Sequence, residues 1–101
     1  MAEQTAQKQV SILAALAQAT RLELLARVAE AGAKGVAAGD IARSIRCPAS
    51  TLSFHLKELS HAGLVASRAL GRFVWYRADL AAMNGLVAYL TENCCSSSAV
   101  C

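Results

Sequence analysis

The stretch that decides the fold is Pro48–Val65, PASTLSFHLKELSHAGLV. Leu52, Leu56 and Leu59 recur at helical spacing, which predicts an amphipathic helix with its leucine face inward. Pro48 suits the first helical position, where its missing N–H costs nothing. Gly63 marks the end, and His61 sits near the helix's negative pole. With the leucines inward, Ser50, Thr51, Ser53, Phe54, His55 and Lys57 are expected to face outward. Small hydroxyl side chains near a helix start suit the major groove of DNA, where they can bond base edges or phosphates.

The flanks complete a recognisable unit. Upstream, Asp40–Arg46 predicts a short helix with Ile41, Ala42 and Ile45 inward, joined to the next by a tight turn. Downstream the hydrophobic period changes from that of a helix to that of a strand. Leu64–Arg68 and Phe73–Ala78 read as two strands joined by Ala69-Leu70-Gly71-Arg72, a hairpin with a glycine-bearing loop. Arg68, Arg72 and Arg77 lie in or beside it, placed to reach the DNA backbone or minor groove. Helix, turn, helix and basic hairpin form a winged helix-turn-helix.

Three more helices frame this unit. Val10, Leu13, Leu16 and Ala17 predict a first helix over roughly residues 6–18. Thr20-Arg21-Leu22-Glu23 reads as a capping box opening a second, with Leu22, Leu25, Val28 and Ala29 on one face and Gly32 and Gly35 as its stop. Asp79 starts the last, whose stripe is Leu80, Met83, Leu86, Val87 and Leu90. The expected fold is therefore mainly α, with five helices and a two-stranded wing. Residues 1–93 form the DNA-binding and dimerisation domain, and residues 94–101 form a cysteine-containing tail. The stripes on the first and last helices exceed what a lone domain of this size needs, so a homodimer is expected.

Bulk properties agree. The 101 residues fit one domain with a modest core. The chain is 55% hydrophobic but only 5% aromatic, because so much of it is alanine, which favours closely packed helices. No apolar run approaches the roughly 18 residues that cross a membrane. ILAALAQA (Ile12–Ala19) mimics a signal peptide, but its apolar run is short and Glu3 spoils a basic leader. A cytoplasmic location is expected, with thiols kept reduced. The net charge is only +3, yet the basic residues between Arg43 and Arg77 (Arg43, Arg46, Lys57, Arg68, Arg72 and Arg77) face Glu58 alone. Such a local excess points to a polyanion.

The last ten residues, ENCCSSSAVC, hold three of the four cysteines. Thiolates are soft ligands that favour soft acceptors. Trivalent arsenic or antimony takes three in a pyramid, and the tail offers Cys94, Cys95 and Cys101. Zinc wants a fourth ligand, and no histidine lies near. Glu92 could serve, so zinc, cadmium and lead stay open. A Cys94–Cys101 or Cys95–Cys101 disulfide acting as a redox switch is the competing reading, and a tail without function is a third. Adjacent helical residues diverge by about 100°, so Cys94 and Cys95 converge on one ion only if the last turn distorts. The spacer Ser96–Val100 lets Cys101 fold back at a modest loop-closure cost. Cys47, just before Pro48, reads as a small buried or capping residue. Enzymatic chemistry finds no support, since His55 and His61 belong to the helix-turn-helix and no phosphate-cradling loop accompanies the thiols.

TRLELL (Thr20–Leu25), PASTLSFHLKELSHAGLV and RALGRFVWYR (Arg68–Arg77) together resemble the ArsR/SmtB family of bacterial metal-responsive repressors. The resemblance covers roughly residues 10–90. It implies a homodimer on double-stranded operator DNA, an imperfect inverted repeat. Ser50, Thr51, Ser53 and His55 would make base and phosphate contacts. Lys57 and Arg72 would lie on phosphates, with Arg68 beside them in the wing. The segment VAYLTENCC (Val87–Cys95) plus Cys101 is similar to an arsenical-sensing branch with a three-cysteine site at the last helix. That likeness implies As(III), or Sb(III), as an inducer rather than a catalytic cofactor, and control of an efflux or detoxification operon. The departures are specific. Val36–Ile41 lacks the cysteine pair that other branches carry there, and Asp79–Asn93 has no histidine for a zinc site. Ala49 stands where many relatives have glutamine, so the bases read stay open.

Overall fold

The computed structural model describes the backbone of residues 2–94 and the side chains of residues 5–92. In chain order the elements are α1 (Ala2–Leu16), α2 (Ala19–Glu30), a 3-10 turn (Gly32–Lys34), β1 (Val36–Ala37), α3 (Ala38–Ile45), α4 (Ala49–His61), β2 (Val65–Leu70), β3 (Phe73–Ala78) and α5 (Leu80–Cys94). The five helices are those expected. The sheet is larger than expected: it has three antiparallel strands in the order β1-β3-β2, not a two-stranded wing alone.

The extra strand is two residues long, with Val36 opposite Tyr76 and Ala37 opposite Trp75. Its approach depends on Gly35, which has φ +80°; a Cβ there would lie 2.6 Å from the Tyr76 carbonyl oxygen. Only glycine fits such a contact without displacement. The hairpin is also tighter than expected. Leu70 pairs with Phe73, leaving a two-residue loop of Gly71 and Arg72. Gly71 takes φ +61° and Arg72 does not take a positive φ, the pattern of a II′ turn with glycine first.

One core joins these elements. Ile12 and Ala15 of α1, Leu24, Leu25 and Val28 of α2, Ile41 of α3, and Leu52, Leu56 and Leu59 of α4 meet Leu64, Val65 and Leu86. Two helix starts differ from expectation. Thr20 does not cap α2; Gln18 does, its Oε1 accepting from the Arg21 backbone N–H at 2.8 Å. Pro48 is the residue before α4 rather than its first helical residue. Asp79 caps α5 as expected, its Oδ1 accepting from the Ala82 N–H at 3.1 Å. The end of α4 is a Schellman turn: the Leu64 N–H donates to the Leu59 carbonyl and the Gly63 N–H to Ser60, with Gly63 at φ +78°. Leu59 and Leu64, both fully buried, add its usual hydrophobic contact.

The stripe on α1 is rotated from the expected one. The core takes Ile12 and Ala15, with Gln9 also buried, while Leu13 is exposed and Val10 is 58% exposed. Among the described side chains of α5, Leu86 alone is fully buried, with Ala82 and Met83 half-buried against the core; Leu80 and Leu90 are exposed and Val87 is 62% exposed.

Candidate nucleic-acid interface

The turn between α3 and α4 sets the angle of α4. Arg46 ends α3 in the left-handed region, at φ 53°, a conformation uncommon for a residue with a Cβ. The Cys47 N–H then donates to the Ala42 carbonyl at 3.2 Å. Cys47 is half-buried against the core, as its place before Pro48 suggested. Pro48 offers α4 no side-chain cap, so the first backbone amides of that helix stay available to an anion such as a phosphate.

Along α4, Leu52, His55, Leu56 and Leu59 are buried. Ser50, Thr51, Ser53, Phe54 and Lys57 are exposed. His55 therefore corrects the expectation that it faces outward: it is only 7% exposed. The reason is its spacing, three residues after Leu52 and four before Leu59, which sets it on the leucine side. Its Nδ1 is buried without a hydrogen-bond partner among the described residues.

Glu58, the sole acid between Arg43 and Arg77, pairs with Arg21 of α2 at 3.9 Å, and Arg43 pairs with Asp40 within α3. Arg46, Lys57, Arg68, Arg72 and Arg77 are exposed, and no ion pair to them is found among the described residues. In the wing Arg68 stands opposite Trp75 and Ala66 opposite Arg77. With Lys34 they line a shallow pocket of about 170 Å³. Arg72 sits at the loop tip. Phe54 joins the exposed face of α4 as a large apolar group, and the wheel that places Ser50 and Lys57 outward places it there too.

Of the tail cysteines, Cys94 is the last residue of α5, while Cys95 and Cys101 lie outside the described residues. Among the described residues no three histidine, cysteine or acidic side chains cluster as a metal site. No helix among them is long and apolar enough to cross a membrane.

The helix-turn-helix domain family matches residues 16–68, just over half of the chain. No curated protein matches it. An ArsR-like transcriptional regulator from Rhodococcus sp. RHA1 is 31% identical, with a TM-score of 0.79, covering 87% of this chain and 80% of that one. A possible transcriptional regulator for arsenical resistance is 30% identical, with a TM-score of 0.71, covering 81% of this chain and 82% of that one. The homodimeric winged helix-turn-helix domain of Mb0332 from Mycobacterium bovis is 26% identical, with a TM-score of 0.70, covering 86% of this chain and 80% of that one. The exposed reading helix, the basic wing and these likenesses over most of the length lead to one conclusion: the chain belongs to the ArsR family of winged helix-turn-helix transcriptional regulators, DNA-binding proteins and not enzymes.

Proposed function

We propose that the protein is a dimeric operator-binding repressor that releases DNA when trivalent arsenic, or antimony, is bound by Cys94, Cys95 and Cys101. One observation carries the reading. The helix that ends at Cys94 is also the helix whose apolar stripe is left uncovered by its own chain, through Leu80, Val87 and Leu90. Val10 and Leu13 of α1 are exposed in the same way. A second copy covering these stripes places the dimer contact and the thiols on one element. The homodimeric Mycobacterium bovis relative and the relative for arsenical resistance support the two halves of the reading.

The chemistry needs no oxidant. Each thiol displaces one hydroxyl of arsenious acid as water, so three waters leave and three sulfur bonds form. Drawing the adjacent Cys94 and Cys95 onto one atom distorts the end of α5. Because α5 packs the dimer, the two α4 helices change separation or orientation and no longer fit successive major grooves. A coupling of about 1–3 kcal/mol, or roughly 5–150-fold in affinity, suffices for a switch. The tail acts as the sensor.

The test is a mobility-shift titration of promoter DNA with arsenite, antimonite, zinc, cadmium and a thiol oxidant in separate arms. Release by arsenite or antimonite under reducing conditions supports the proposal. Release by the oxidant alone moves the function to thiol-redox sensing, and release by zinc or cadmium alone moves it to another soft metal.

A further inference from the structure

We infer that Phe54 is a specificity-determining residue, its ring packing on the C5-methyl of a thymine in each operator half-site. The inference deepens the operator-reading role proposed above for α4 and rests on it. At about 100° per residue, Phe54 lies roughly 40° from Ser50 and 60° from Lys57, and roughly 140–160° from Leu52, Leu56 and Leu59. It thus occupies the middle of the outward face. It is 55% exposed, on a face otherwise made of Ala49, hydroxyl groups, Lys57 and, at the last turn, His61. Its ring is not loose on one side: the His55 ring lies 5.8 Å away, centroid to centroid, tilted by 60°, and His55 is itself held in the core.

The rest of that face reads bases poorly. Ser50, Thr51 and Ser53 each donate and accept, so a hydroxyl fits more than one base edge. The exposed side of α4 has no asparagine, glutamine or arginine to make a two-point contact with adenine or guanine. Lys57 offers a charged donor there, and His61 adds a ring nitrogen only at the far end of the helix. The one apolar feature in the major groove is the thymine methyl, and the one large apolar group on this face is Phe54. Matching the two removes exposed aromatic surface from water and tells thymine from cytosine, which lacks the methyl.

The test begins with the full-length protein and a randomised duplex library, from which a binding site is selected. Each thymine of that site is then replaced in turn by deoxyuridine, which deletes only the methyl. Affinities are measured by fluorescence anisotropy at fixed salt for the wild type, Phe54→Ala and Phe54→Leu. The wild type should lose about fourfold at one thymine per half-site, the equivalent of one buried carbon. Phe54→Ala should bind the thymine and uridine duplexes equally, and Phe54→Leu should keep part of the discrimination. Circular dichroism confirms that both variants fold. Uridine sensitivity that persists unchanged in Phe54→Ala overturns the inference, as does a wild type indifferent at every thymine. A protein that selects no sequence at all brings down the operator-reading role itself, a distinct failure.

Discussion

Helices α4 and α5 look alike as sequence, each a leucine-bearing stripe on a short helix, yet the fold treats them oppositely. The stripe of α4 is fully used by its own chain: Leu52, Leu56 and Leu59 are buried with partners from α1, α2 and α3. Its polar face is what remains, so its unmet chemistry calls for a polar, charged partner. On α5 Leu86 is buried in the core with Ala82 and Met83 half-buried against it, while Leu80, Val87 and Leu90 face solvent. Its unmet chemistry is apolar and calls for another protein surface. On the proposed function, one helix is anchored to read and the other is left open to assemble.

The comparison can be broken first where it predicts most. Leu59→Ala should cost about 2–5 kcal/mol of folding stability, the range for truncating a fully buried leucine, measured by denaturant unfolding. Val87→Ala, on the exposed side of α5, should change unfolding of the separated chain by less than about 0.5 kcal/mol. Equal costs would erase the distinction between the two helices. Val87→Asp should instead act on assembly. Sedimentation at micromolar concentration should show the wild type as a dimer and this variant as a single chain, with operator affinity falling at least tenfold. A wild type that sediments as one chain would leave the stripe without its proposed partner.

Cysteine variants come next. Cys94→Ser or Cys95→Ser should bind DNA normally but lose the arsenite response, roughly 5–150-fold in the wild type. Cys101→Ser should keep a weaker response through the remaining pair, and Cys47→Ser should respond like the wild type. Loss of induction in Cys47→Ser alone would move the site to the α3–α4 turn, where Cys47 packs half-buried. The smallest effect belongs to the wing. Arg72→Ala should weaken binding to all sequences alike and lower the salt-dependence slope by about 0.9, one phosphate's worth. An unchanged slope would take the loop tip off the DNA.

Much of this was legible beforehand, for physical reasons. The spacing of Leu52, Leu56 and Leu59 marks α4 because a buried helix face must repeat every three or four residues. The change of period at Leu64 marks the hairpin for the same kind of reason. What stayed hidden lacks a period or is settled by packing. Strand β1 is two residues long, too short to alternate, and exists because Gly35 lets its backbone close on Tyr76. Gln18, rather than Thr20, caps α2, a choice that local pattern alone does not decide. His55 has a readable spacing, yet its polar side chain suggests an outward place that the wheel itself denies. On α1, Ile12 rather than Leu13 turns inward, since two overlapping stripes compete there and packing against α2, α4 and α5 chooses between them.

Linkage tests the central coupling most directly. If thiol binding at the end of α5 and DNA binding through α4 share one dimer geometry, each must weaken the other by the same factor. Arsenite affinity is therefore measured twice on the full-length reduced protein, once free and once saturated with its selected operator. Coupling through α5 requires weaker arsenite binding on DNA by the factor, about 5–150-fold, by which arsenite lowers operator affinity. Identical arsenite affinity with and without operator would contradict it.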